Sequence, residues 1–133
     1  YLENRISKYI LLRLDSALAG KGATYEHSVI SIEHVLPQNP CIGSIWLNWF
    51  PDDNERAKYT HRIGNLVLLD RRKNSQAQNY DFDYKKSIYF ATKNGISPFV
   101  LTTQVLKETT WTSDVIKQRQ NNLMQLLKTL WRL

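Results

Sequence analysis

The chain is poor in the residues that cross-link proteins or carry them through membranes. Its one cysteine, Cys41, excludes an internal disulfide and any cysteine-based zinc site. No apolar run approaches the length of a membrane span, so no membrane partner is expected. The start is charged and polar and shows no signal-peptide pattern. These absences point to a reducing, cytoplasmic setting. Histidine is scarce as well: His27, His34 and His61 are the three. No internal repeat, low-complexity segment or internal domain boundary is visible. The first residue is Tyr and not Met, which points to a piece of a longer protein.

What is present suits one domain over residues 1–133. Hydrophobic residues make up 42%, with 4 Trp, 7 Tyr and 4 Phe, enough for a real core. Lys and Arg number 18 against 12 Asp and Glu, for a net charge of +6. That balance suits a phosphate-bearing partner, and equally a basic domain that binds nothing.

Leu2, Ile6, Ile10, Leu14 and Leu18 recur at helical spacing and predict a helix to about Ala19, stopped by Gly20-Lys21-Gly22. Residues 23–32 lead into a strand. Trp46, Trp49 and Phe50 stand at i, i+3 and i+4, so a short helix is expected there, its aromatics serving either as buried anchors or for base stacking. Asp52 to Tyr59 reads as another short helix, with Asp52 or Asp53 as cap. Val67 to Leu69 is continuous apolar sequence, consistent with a short buried strand. Asp70 then caps a polar helix from about Arg71 to Gln78, on which Arg71, Asn74 and Gln78 share a face. Asp81 caps a further helix, with Phe82, Ile88, Tyr89 and Phe90 inside and Lys85 and Lys86 outside. Gly95 to Pro98 reads as a loop. Thr102 or Thr103 starts a short helix through Lys107. Thr112 and Asp114 open the last helix, whose stripe is Ile116, Leu123, Leu126, Leu127 and Leu130.

The chemistry is concentrated in Ser31-Ile32-Glu33-His34-Val35-Leu36-Pro37-Gln38. Val29, Ile30 and Ile32 make a strand plausible. Side chains alternate across a strand, so Glu33 and His34 face one way only where the strand ends or bends. Pro37 supplies a reason for that end. Glu33 is a hard oxygen donor suited to Mg²⁺, and His34 titrates near neutrality and can take a proton from water. A carboxylate, an imidazole and a carboxamide are the minimum parts for metal-assisted phosphodiester hydrolysis. Taken singly, each also has a plain structural reading: a hydrogen-bonded histidine, a solvated glutamate, turn chemistry at Gly64-Asn65.

A second stretch, Gly64-Asn65-Leu66-Val67-Leu68-Leu69, is followed by Asn74. In this order the two stretches resemble the HNH (ββα-metal) nucleases, and most of all the DUF1524 branch. That branch is the C-terminal domain of GmrSD-type, modification-dependent restriction endonucleases. The resemblance runs from the helix near Leu2 to the one near Trp131. It implies a metal-dependent DNA endonuclease with His34 as general base and Glu33 and Asn74 as ligands of a divalent ion, Mg²⁺ or Mn²⁺. Many members carry Asp where this chain has Glu33, and the final His of the acronym is Asn74 here. Asn65 matches the residue that holds the catalytic loop by bonding its backbone.

Arg71 lies one turn from Asn74 on the expected helix, towards the substrate. Arg62, His61, Arg72, Lys73, Lys85 and Lys86 are candidate DNA contacts. A DUF262-like N-terminal domain is the implied partner within a longer protein. The expected fold is α+β, a small ββα catalytic unit in a mostly helical domain. Rival readings are a non-catalytic nucleic-acid-binding module with a degenerate site, an RNase, and a plain helical interaction domain.

Overall fold

A short strand, β2 (Leu66–Asp70), runs through the middle of the domain and is buried on both faces. This is why its sequence is a continuous apolar run and does not alternate. Leu66 and Leu68 face one core with Leu11, Leu14, Leu101, Leu123 and Leu127. Val67 and Leu69 face the other, with Trp46, Phe50, Phe82, Phe90, Trp111 and Ile116. The partner strand, β1 (Ile30–His34), lies antiparallel, with Glu33 opposite Val67 and His34 opposite Leu66.

The computed structural model describes residues 2–20, 30–70, 79–90 and 99–132. The architecture is α+β: a two-stranded sheet in a mostly helical domain, as the sequence leads one to expect. The expected helix from Arg71 to Gln78, with Arg72, Lys73 and Asn74 on it, lies outside the described residues. So do His27, the Lys21-Gly22 part of the first helix stop, and the loop at Gly95 to Pro98. Among the described residues no helix is long and apolar enough to cross a membrane.

Helices surround the sheet. α1 (Leu2–Ala19) ends as expected, with Gly20 at φ +93°, a conformation that favours glycine. α2 (Ile45–Trp49) buries Trp46 and delivers Phe50 to the core, so these aromatics are anchors and no stacking platform. α3 (Asp53–Thr60) is capped by Asp52, whose side chain accepts from Asn54 N. α4 (Phe82–Tyr84) continues directly into a π-helical segment, Lys85–Phe90. Asp81 stands at the N-cap position of α4, but its carboxylate accepts from Ile45 N and ties down α2 instead.

α5 (Val100–Leu106) starts before Thr102, because the Thr102 hydroxyl is buried and donates to Leu68 O at 2.5 Å, and so caps nothing. α6 (Ser113–Trp131) is the long C-terminal helix. It presses on the 3-10 turn Ile63–Asn65 that enters β2. A Cβ on Gly64 would lie 2.5 Å from Ile116 O and 2.9 Å from Gln120 N, so the close approach admits only glycine. Gln120 Oε1 accepts from Gly64 N at 2.6 Å. Arg119, also on α6, is buried and donates to the carbonyls of Gly64, Leu66 and Leu101 at 2.9–3.0 Å. Burial pulls its guanidinium down to about 10. This arginine escaped the sequence reading, since nothing in a polar helix face marks one arginine as internal.

Candidate functional site

The site forms where β1 ends. Beyond His34 the chain leaves the sheet, and Pro37 forbids a further ladder bond. Every main-chain N–H and C=O from His34 to Leu36 has a partner all the same. His34 N donates to Glu33 Oε1 at 2.9 Å. Val35 N donates to Asn65 O at 3.0 Å. Leu36 N donates to Asn65 Oδ1 at 2.8 Å, and Leu36 O accepts from Asn65 Nδ2 at 3.0 Å. The carbonyls of His34 and Val35 accept from Lys85 Nζ at 2.9 and 3.1 Å.

Asn65 is fully buried and uses its whole capacity. Its Oδ1 also accepts from Trp111 Nε1 at 2.9 Å, and its Nδ2 also donates to Thr60 O at 2.8 Å. Trp111 Nε1 and Leu36 N can only donate, and the two carbonyls can only accept, so the carboxamide has one possible orientation. Thr60 and Trp111 were not picked out from the sequence. An asparagine with four partners on three separate elements cannot be foreseen from spacing.

His34 is half-buried. Its Nε2 lies 3.1 Å from His61 Nδ1 and 3.5 Å from Gln38 Nε2, and the two imidazoles meet edge to face. Burial, then the neighbouring His61 and Lys85, pull its pKa down to about 4. At neutral pH the ring is therefore uncharged and can accept a proton. Glu33 is buried beside it. Burial pushes its carboxyl up, and the Lys85 ammonium opposes that. Lys85 is pulled down by its own burial, with Glu33 opposing.

A cleft of about 320 Å³ opens over these groups, lined by Glu33, His34, Pro37, Gln38, Asn39 and Asn79. A second hollow of about 250 Å³ shares Gln38 and Asn39 and reaches Asp53, Arg56 and His61. Among the described residues no three His, Cys, Asp or Glu side chains converge to hold a metal. The first cleft does offer oxygen donors: one carboxylate and the carboxamides of Gln38, Asn39 and Asn79. Such a set fits a hard cation better than a soft one. Glu33 is already shared between Lys85 and the His34 N–H, and is at most part of such a shell.

The structure thus brings Glu33, His34, His61 and Asn65 together. Arg62 is exposed next to His61, its guanidinium 4.5 Å from the Tyr59 ring centre, and Lys117 approaches the same ring. Two of the expected DNA contacts are corrected. Lys85 is 0% exposed and cannot meet a phosphate from solvent. It stands three residues after buried Phe82, its N–H bonded to Asp81 O at 2.9 Å, and so shares the inner face of that turn, where Glu33 gives it a counter-charge. Lys86 is tied to Glu108 O at 2.6 Å and lies over the Phe82 ring. It braces α4 against the end of α5 and does not point freely outward. Arg71, Arg72, Lys73 and Asn74 lie outside the described residues.

No curated protein and no solved structure matches the chain. One family does: the C-terminal domain of GmrSD restriction endonucleases, whose pattern matches residues 1–126. That span takes in both clefts, the His34 loop and Asn65, and by it the chain belongs to the GmrSD restriction endonuclease C-terminal domain family.

Proposed function

We propose that this domain is a metal-dependent DNA endonuclease, the cutting part of a modification-dependent restriction or anti-phage defence protein of the cytoplasm. The observation that carries this reading is a neutral imidazole at the rim of a polar cleft, on a loop whose backbone is pinned by a fully satisfied asparagine. His34 takes the proton of a water in line with the scissile phosphate. The water oxygen forms the new bond to phosphorus, the bond to the 3′ oxygen breaks, and that oxygen gains a proton from solvent. A 5′-phosphate and a 3′-hydroxyl result. Glu33 and Asn74 would hold one divalent ion, Mg²⁺ or Mn²⁺, whose charge offsets that of the phosphate and the departing oxygen.

Asn65 keeps the His34 loop in place, so the ring has little freedom to lose when substrate arrives. His61 orients the His34 ring from the other side, and exposed Arg62 meets the DNA backbone. Arg71 would offset charge on the phosphate oxygens, and Arg72 and Lys73 would follow the backbone. A DUF262-like N-terminal domain of the longer protein would supply recognition of the modified DNA.

The test is relaxation of supercoiled plasmid by the full-length protein with Mg²⁺ or Mn²⁺. Wild type should nick or cut, and chelation or His34→Ala should abolish cutting while DNA binding persists. Equal cleavage by His34→Ala would remove the assigned base. One observation favours a second reading. Because Glu33 already balances Lys85, that reading is a non-catalytic DNA-binding module, which would bind the plasmid and never cut it.

A further inference from the structure

We propose that Lys85 is a positioning residue of this site, the second of two clamps that fix the His34 loop. The inference rests on the nuclease reading and adds a residue to it. Lysine is among the side chains least often buried, and Lys85 is wholly buried. An ammonium has three N–H donors, and here there are three acceptors: His34 O, Val35 O and Glu33 Oε2, the last at 3.4 Å. They belong to three consecutive residues, the last two of β1 and the first beyond it.

The division of labour is clear from the partners. Asn65 takes Val35 N, Leu36 N and Leu36 O. Lys85 takes the two carbonyls that Asn65 does not reach, His34 O and Val35 O. The His34 peptide is therefore held from both sides, by the turn before β2 and by the π-helical segment after α4. Lys85 Nζ lies 5.9 Å from the centre of the Trp46 ring, on the side of the core that holds Trp46, Phe82 and Trp111. A methionine would fill the same space and pack as well, but would take the Lys85 donor away from both carbonyls and from Glu33 Oε2. The cost of burying a lysine is thus spent on the direction of one peptide, and through it on the His34 ring.

The experiment compares Lys85→Met and Lys85→Arg with wild type in the full-length protein. Leu127→Ala, in the opposite core, is a control for lost stability. Three quantities are read: the single-turnover cleavage rate, the Kd for plasmid DNA, and the rate at which diethylpyrocarbonate modifies His34, measured by mass spectrometry without DNA or metal. A misplaced base costs about 100-fold in rate. Lys85→Met should lose about that much with Kd within about threefold of wild type, and His34 should react faster. Lys85→Arg, which can still bond the carbonyls, should keep a larger share of the activity than Met.

Should Lys85→Met fail to fold, Lys85→Arg carries the test on the same three readings, with a smaller rate loss and a faster His34 reaction expected. Unchanged cleavage and unchanged His34 reactivity in the folded variants would overturn the proposal. So would a rate loss no greater than that of Leu127→Ala at equal melting temperature. Failure of the nuclease reading looks different: wild type itself would not cut.

Discussion

Replacing Asn65 separates two explanations of why that residue is there. Asn65→Ala removes partners from four buried groups: Leu36 N–H, Leu36 C=O, Thr60 C=O and Trp111 Nε1–H. Each buried donor or acceptor left without a partner costs about 1–3 kcal/mol. Water entering the small void would satisfy some of them, so the expected loss is about 4 kcal/mol, a large share of the ~5–15 kcal/mol that holds a domain folded. Asn65→Asp makes the argument sharper. Aspartate has nearly the same shape and leaves no void, but it turns an oxygen towards the carbonyls of Leu36 and Thr60, where Nδ2 donates now. If packing were the point, Asp would be mild and Ala severe. If the hydrogen bonds are the point, Asp is at least as damaging as Ala at pH 7. Urea unfolding followed by tryptophan fluorescence reads both. A loss under about 1 kcal/mol for Ala, or a mild Asp variant, would refute the role of Asn65 as the anchor of the loop.

Two further outcomes follow from the same geometry. Gly64→Ala places a methyl against the α6 backbone, where neither Ile116 O nor Gln120 N can yield without moving the helix, and should cost about 2 kcal/mol or more in urea unfolding. His34 gives the metal-free protein an acid limb. The unfolded chain takes up this proton near pH 6.5 and the folded one only near 4, so His34 contributes stability above pH 6.5 that is lost as pH falls from 6.5 to 4. The loss is at most about 3 kcal/mol and is opposed in part by Glu33, whose raised carboxyl pKa acts in the opposite sense. Unfolding free energies of wild type and His34→Gln at pH 7, 5.5 and 4.5 should converge as the pH falls. A constant gap would show that His34 does not carry the effect.

Much of the scaffold was legible because single residues announce it. The helical spacing of Leu2 to Leu18 marks α1, although Ile6 and Leu18 are exposed and Leu11, Leu12 and Leu14 carry its buried face; the apolar run of Leu66 to Leu69 admits one burial pattern, and Asp52 caps α3 as its chemistry suggests. The meeting of Glu33, His34 and Asn65 was legible only through resemblance to other chains, since β1 and the turn at Ile63–Asn65 are far apart in sequence. Capping was less legible. Asp81 and Thr102 are the right residue types at or near helix starts, yet each side chain bonds a distant element: Asp81 accepts from the first N–H of α2, where Ser44 makes no side-chain cap bond, and buried Thr102 donates to Leu68 O.

Lys85 shows why the remainder was hidden. Lys85-Lys86 on a polar-looking segment reads as two solvated charges. Two features reverse that reading, and neither is a property of the pair itself. Lys85 stands three residues after buried Phe82, on the inner face of that turn, and Glu33, fifty-two residues earlier, provides the counter-charge that lets an ammonium enter the interior. A buried lysine therefore has to be inferred from its acceptors. Glu33 stands on the inner face of β1, opposite the wholly buried Val67, and a carboxylate there requires a cation. Searching for the cation that such a carboxylate requires, instead of assigning every lysine to solvent, is the step that would have found it.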